Sequence, residues 1–316
     1  MTPRDEAQAI EQLLARERMS VDAHDAGRTS FLSHIGAMRP LTPGPWIAHR
    51  DLIYALALTN LSQAQRASLA HAVRVEHGRT FGVGRCELDT SPSGLPFGGA
   101  SLRVRPRRGG PTFLYTWGLS GSPLPAQCEW LLLRAQPEWT RDEPLRSLGA
   151  RGLETLDGLG GTVVVLVQTV IAAQQVMQLM RGRVPVVAHP RFAPLVYEPE
   201  AARPRDANVY LWPYDGLDSP VLRELEVHTV VVLEAEDSLT QQAQRWADSR
   251  GGAAVIPAAA PGRIRRVGME KFWRGCGSPR VLLRGDPGLV SAGSAFLREL
   301  GATVVERTTG TQLGLF

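Results

Sequence analysis

From residue 162 to residue 306 short apolar segments alternate with amphipathic ones, and that alternation leaves few folds open to the chain. Strands are expected at Val163–Val167, Val184–Ala188, Asn208–Trp212, Thr229–Glu234, Ala253–Ile256, Arg280–Arg284 and Thr303–Glu306. Helices are expected between them at Ile171–Met180, Ser219–Glu226, Ser238–Arg250 with Ser238 as N-cap, and Gly288–Leu300. Strands buried on both faces read as unbroken Val/Leu runs, and crossover helices supply the cover. The pattern predicts an α/β fold with a mostly parallel sheet flanked by helices.

The N-terminal half reads differently. Pro3–Arg18 is an expected amphipathic helix with Ala7, Ile10, Leu13 and Leu14 on one stripe. A link rich in Gly and Pro runs from Arg39 to Trp46, followed by expected helices Asp51–Leu61 and Ser62–His77, the second N-capped by Ser62. Short alternating segments between Thr80 and Tyr115 read as a small β region. Gln127–Ala135 reads as a helix before a charged linker, Gln136–Arg151. The expected division is an α+β domain over 1–155, a three-layer α/β domain over 156–308 of recombinase-like or Rossmann-like kind, and a flexible tail over 309–316.

Composition narrows the chemistry. The longest apolar run, Thr162–Val167, is strand-sized, and the first residues lack the apolar core of a secretory signal, so a cytoplasmic chain without membrane segments is expected. Cys86, Cys128 and Cys276 lie far apart in sequence without metal-ligand spacing and read as reduced, packed thiols. Of 35 basic residues only Lys271 is lysine. It stands between Glu270 and Phe272, so the Gly-Lys-Ser/Thr of a phosphate-binding loop is missing. A kinase site, a carboxylate–lysine nuclease set and a pyridoxal Schiff base lose their lysine for the same reason. No cofactor is expected.

Arginine is clustered. Arg103 and Arg105 alternate onto one strand face leading to a basic turn with Arg107 and Arg108. A second group joins Arg263, Arg265, Arg266, Lys271 and Arg274, with Phe272 and Trp273 interleaved. Cations beside aromatic rings suit a phosphate backbone with stacked bases, and solvated surface charge is the alternative.

Glu234, Glu236 and Asp237 follow the strand at Val230–Leu233, at the end of a parallel strand where such sheets place ligands. They fit a Mg²⁺-dependent nuclease, with Asp215 or Asp218 as further ligands. Alternatively, Glu236 and Asp237 are acids that complement the dipole of the next helix. The histidines at 24, 34, 49, 71, 77, 189 and 228 show no paired ligand spacing; His24-Asp25 and His49-Arg50-Asp51 are the candidates for acid–base work.

Two resemblances add to this reading. Gln312-Leu313-Gly314-Leu315-Phe316, after the polar lead Thr308–Thr311, resembles the peptide with which bacterial replication and repair proteins dock onto the sliding clamp. That resemblance implies a clamp partner, with Leu313, Leu315 and Phe316 in a hydrophobic groove and Gln312 hydrogen-bonded at its rim. Separately, Leu119–Leu124 with Glu129–Leu133 is similar to the Ser/Thr-Gly-Thr-Pro segment and following helix of superfamily-two helicases and Swi/Snf-type translocases. Val163–Thr169, Gly216-Leu217-Asp218, Val230–Leu233 and Gln241–Arg250 resemble the second lobe of those motors, with Arg245 and Arg250 nearest to its final arginine motif. The absent phosphate loop makes this the likeness of a non-hydrolysing relative.

The expectation is a clamp-tethered, non-ATPase DNA-binding accessory protein of bacterial replication or repair, working beside a polymerase or ATPase partner. A nuclease using Glu234, Glu236 and Asp237, or a pseudo-helicase subunit, is the alternative.

Overall fold

Thr2 and Asp5 cap the first helix reciprocally. The Thr2 amide donates to the Asp5 carboxylate at 2.9 Å and the Asp5 amide to the Thr2 hydroxyl at 3.3 Å, with Pro3 in the first turn of α1 (Pro3–Arg16). This computed structural model describes residues 2–22, 28–35, 45–59, 61–140, 161–181, 184–192, 208–233, 237–258, 260, 262 and 264–308. The described residues form two compact units, one from residues up to 140 together with 264–308, the other from 161–262.

In the first unit, β1 (Met19–Val21), β2 (Thr29–Leu32), β3 (Trp46–His49) and β4 (Val73–Val75) form a four-stranded sheet in that order, every pairing parallel. Helices α2 (Arg50–Ala57) and α3 (Gln63–Ala70) connect β3 to β4. Ser62 caps α3 as expected, in a capping box with Gln65. None of these four strands was expected, and β4 takes the end of the segment expected as the helix Ser62–His77; runs of three or four residues are too short to declare a period. The expected β region forms: β5 (Thr80–Val83), β6 (Cys86–Pro92), β7 (Ala100–Pro106) and β8 (Phe113–Thr116) pair antiparallel in sequence order.

The segment expected as a helix at Gln127–Ala135 contains instead the strand β9 (Trp130–Arg134), parallel to β8, and the short α4 (Pro137–Thr140) follows. The reason is burial on both faces. Trp130 and Leu132 enter one core cluster, Leu131 and Leu133 another. A strand sandwiched between two cores reads as a continuous apolar run, which carries no period to separate it from a helix.

The second unit holds β10 (Thr162–Val167), α5 (Val170–Met180), β11 (Val186–Ala188), β12 (Val209–Pro213), α6 (Pro220–Arg223), β13 (Val227–Leu233), α7 (Asp237–Asp248) and β14 (Ala254–Ala258). Its sheet runs β11-β12-β10-β13-β14 with all pairings parallel. The α/β expectation holds here. Ser219 caps α6 as a side-chain acceptor, whereas α7 begins at Asp237, which puts Ser238 inside the helix and not at its cap. In order of appearance the sheet reads 2-3-1-4-5, the two left-hand strands exchanged relative to the doubly wound 3-2-1-4-5.

The chain then returns to the first unit through α8 (Arg266–Gly275), β15 (Arg280–Gly285), α9 (Pro287–Glu299) and β16 (Val304–Thr308). Strand β15 pairs with β9 and β16 with β15, completing the order β16-β15-β9-β8-β7-β6-β5. The division expected at residue 155 therefore gives way to one in which residues 264–308 extend the N-terminal unit's sheet. Local strand–helix alternation is identical whichever sheet a strand joins, so sequence grammar cannot place this boundary. The seven-stranded sheet separates two cores. Ala7, Ile10 and Leu14 of α1, with Phe31 and Ile47, cover one face, while Phe272 and Trp273 of α8 and Phe296 and Leu297 of α9 cover the other. Among the described residues no helix is long and apolar enough to cross a membrane.

Candidate functional site

Parallel strands deliver their chain ends to one edge, and in the first unit that edge gathers polar side chains. Asp22 follows β1, Ser33 and His34 follow β2, Tyr115 and Trp117 lie at the end of β8, and Arg134 ends β9. Asp22 accepts from the Ser33 amide at 2.7 Å, from the Tyr115 hydroxyl at 2.6 Å and from the Ser33 hydroxyl. His34 Nδ1 stands 3.6 Å from the Asp22 carboxylate and 3.0 Å from the Ser33 oxygen. Its ring stacks on Trp117 with centroids 4.7 Å apart, and the Arg134 guanidinium lies 4.3 Å over the same indole. The His34 and Asp22 side chains are 6% and 7% exposed, so the pairing operates away from solvent screening.

Burial pulls the Asp22 carboxyl upward, but His34, Ser33 and Tyr115 together outweigh it and hold the group below its usual range. Burial, then the Asp22 charge, push the Tyr115 phenol well above its ordinary value. Asp22 thus stays ionised and Tyr115 protonated. Ser33, His34 and Asp22 are the residue types of an acyl-transfer triad, but the hydroxyl and the carboxylate both approach Nδ1. A relay needs them on opposite ring nitrogens. The arrangement is an ion-centred hydrogen-bond network tying β1, β2 and β8 together.

Farther along the same edge, His49 and His77 stack at 4.1 Å and 14°. His49 caps α2, its Nδ1 accepting from the Asp51 amide at 3.3 Å and standing 3.6 Å from the Asp51 carboxylate. Glu76 beside them pairs with Arg50 at 3.3 Å and Arg79 at 3.0 Å. Burial lowers His49 against the pull of Asp51. Burial first, and the His49 neighbour second, lower His77 to about 4. The expected His49-Asp51 contact is present, with the imidazole held neutral. Among the described residues no group of three or more His, Cys, Asp or Glu is placed to hold a metal ion.

The first arginine cluster lies on one face of β7, as its alternation predicts, yet that face carries acids opposite. In the β6–β7 register Arg103 faces Asp89 and Arg105 faces Glu87. Arg103 contacts the buried Asp89 at 3.0 Å, Arg105 contacts it at 3.1 Å, and Arg107 stands 3.9 Å from Glu87. Cross-strand ion pairs thus take up Arg103 and Arg105, leaving Arg107 and Arg108 exposed at the turn.

The second cluster divides by helix face. Phe272 and Trp273, expected to stack on bases, are 3% and 4% exposed in the core, and the Trp273 indole N–H donates to the Pro279 carbonyl at 2.8 Å. Their spacing with Met269 is that of the buried stripe of an amphipathic helix. Arg266 donates to the Trp139 and Thr140 carbonyls at 3.2 and 3.3 Å. Arg265, Lys271 and Arg274 are exposed, Arg274 pairing with Glu270 at 3.0 Å, and Val267 beside them is 65% exposed. Arg263 lies outside the described residues.

In the second unit β10 and β13 are neighbours whose onward connections run to opposite sides of the sheet, which makes their C-terminal ends the switch point. Thr169 there caps α5, accepting from the Ala172 amide at 3.1 Å, and the Tyr214 hydroxyl donates to the Leu233 carbonyl at 3.2 Å. Glu234 and Glu236 lie outside the described residues, and Asp237 opens α7. Of the helicase-like stretches, Leu119–Leu124 belongs to the first unit and the expected following helix at Glu129–Leu133 runs into β9. Arg250 donates to the Leu222 and Arg223 carbonyls at 3.2 and 2.9 Å, a tie within its own unit. The clamp-like residues Gln312, Leu313, Leu315 and Phe316 lie outside the described residues.

Sequence reasoning missed Asp22, Ser33, Tyr115, Trp117 and Arg134. The one local signal was a polar residue at the exit of each short strand, visible only once those strands were recognised.

No protein-family model matches the chain, and no curated protein matches it. It is similar to the solved structure of a protein of unknown function from Enterococcus faecalis V583, at 13% identity and TM-score 0.53, over 81% of this chain and 74% of that chain. A likeness at that identity carries the fold alone.

Proposed function

We propose that the chain is a cytoplasmic, clamp-tethered, non-ATPase DNA-binding accessory protein of bacterial DNA replication or repair. The observation that carries this reading is the peptide Gln312-Leu313-Gly314-Leu315-Phe316, whose three large apolar side chains suit a hydrophobic groove. The exposed cations Lys271 and Arg274 on α8 and Arg265 at its N-cap, with Arg107 and Arg108 at the β7–β8 turn, supply phosphate contacts independent of base sequence. A weak DNA contact joined to a second attachment gains about 10²–10⁴ in avidity, so the modest net charge of +4 suffices.

The DNA arm is tested by Lys271→Glu and Arg265→Glu in band-shift titrations over a salt series. Each variant is expected to weaken binding and to reduce the salt slope by about one. Unchanged affinity in both would remove α8 from the interface. The nuclease alternative rests on the switch-point placement of the β13 end. Cleavage of single-stranded, duplex or branched DNA with Mg²⁺ or Mn²⁺, lost in Glu234→Ala, would replace the binding reading.

A further inference from the structure

The sequence separates Cys128 and Cys276 by almost half the chain, with the whole second unit between them, but the fold of the first unit makes them neighbours. The Cys128 amide donates to the Cys276 carbonyl at 3.1 Å. One residue away, the Gln127 side chain donates to the Gly275 carbonyl at 2.9 Å, so the approach to β9 clasps the C-terminal end of α8. The Cys128–Cys276 backbone bond brings the two main chains into direct contact at these residues. A disulfide spans Cα separations of about 4.4–6.8 Å.

The side chains pack in the same core cluster. The adjoining Cys276 thiol raises the Cys128 thiol, with burial adding to the effect, and the adjoining Cys128 thiol lowers the Cys276 thiol against the opposing effect of burial. Cys276 is therefore the sulfur that ionises first. Exposure divides the other way: Cys276 is buried in the core, whereas Cys128 is partly open to solvent. Cys86 has a different setting, buried in the cluster on the opposite face of the seven-stranded sheet.

We propose that Cys128 and Cys276 are a redox-active dithiol that closes reversibly to a disulfide under a peroxide oxidant, stapling the entry of β9 to the C-terminus of α8. In the first step the adjoining Cys276 thiolate takes the Cys128 proton as the Cys128 sulfur attacks one peroxide oxygen. An S–O bond forms, the O–O bond breaks and hydroxide leaves, giving a sulfenic acid at the solvent-accessible member of the pair. The Cys276 thiolate then attacks the Cys128 sulfur, forming S–S and breaking S–O with loss of a second hydroxide. The two thiol protons convert both hydroxides to water. The sulfurs lose two electrons and the peroxide oxygens gain them, so two thiols and one peroxide give one disulfide and two waters. A small-molecule or protein dithiol returns the pair by exchange. Reversible closure suits a reducing compartment, where disulfides serve as transient sensors.

The test uses the reduced full-length chain in native buffer. It is treated with hydrogen peroxide, quenched with acid, alkylated with iodoacetamide under denaturing, non-reducing conditions, digested with trypsin and weighed. The expected product is one linked species joining the peptides that carry Cys128 and Cys276, lighter by two hydrogens than their sum, with Cys86 alkylated. Dithiothreitol should return both peptides as free thiols. Cys128→Ser should give no linked product and leave Cys276 alkylated. Recovery of Cys128 and Cys276 both alkylated after peroxide would overturn the proposal. So would Cys128 carried to an unlinked sulfinic acid, or linkage of either cysteine to Cys86.

Discussion

Tyr115 donates its hydroxyl to the Asp22 carboxylate across 2.6 Å, joining residues 93 positions apart in sequence. Asp22 receives that proton donor together with the amide and hydroxyl of Ser33, so one ion fixes the exits of three strands from two sheets. The edge where a parallel sheet offers a ligand site is here occupied by the protein's own donors.

Asp22→Ala removes the ion on which the Tyr115 hydroxyl and the Ser33 amide and hydroxyl converge, and is expected to cost about 2–4 kcal/mol of unfolding free energy. Tyr115→Phe removes a single donor to a charged acceptor and should cost about 1.5–3 kcal/mol. Urea unfolding of the two variants checks both values. A loss below about 0.5 kcal/mol for Asp22→Ala, the size of an ordinary surface substitution, would contradict the network.

The stacked imidazoles predict an acid-sensitive window. His77 ordinarily titrates at 6.5 and falls to about 4 in the fold, so the unfolded chain binds the proton more readily. Its contribution to stability is fully present above 6.5 and is lost as the pH falls from there to about 4. The lowered His49 acts in the same direction, moderated by Asp51. The urea midpoint should decline as the pH is lowered through this window, and His77→Gln should flatten the decline. An unchanged slope in that variant would assign the acid sensitivity to other groups.

Arg103 and Lys271 are expected to separate stability from DNA binding. Arg103→Ala leaves the Asp89 carboxylate, 8% exposed, with Arg105 alone, and should cost about 1–2 kcal/mol while leaving DNA affinity unchanged. Lys271→Ala should do the reverse, weakening DNA binding without moving the unfolding midpoint. Band shifts and urea curves on the same two variants decide it. A larger DNA defect in Arg103→Ala than in Lys271→Ala would return the interface to the β7 face.

What the sequence reveals and conceals follows from the range of each interaction. The Ser62 cap of α3 is a contact between near neighbours, and it forms as expected. The alternation of Arg103 and Arg105 correctly places both on one face, but the acids that occupy them belong to β6, and only the strand register brings them opposite. Strand β9 was obscured because Leu131 and Leu133 serve one core while Trp130 and Leu132 serve the other. The sheet order that sends β15 to β9 has no local signature at all. The same holds for Asp22 with Tyr115 and Cys128 with Cys276, where side-chain chemistry is legible and proximity is not.

The account depends most on whether residues 312–316 bind the clamp. Equilibrium titration of a bacterial sliding clamp with the full chain, and with one ending at Thr311, measures this directly. Deletion of the pentapeptide, and separately Phe316→Ala with Leu315→Ala, is expected to weaken binding at least about thirtyfold, since buried anchors of this kind contribute about 2 kcal/mol or more each. Equal affinity of the full and shortened chains, or no binding by either, would contradict the proposal.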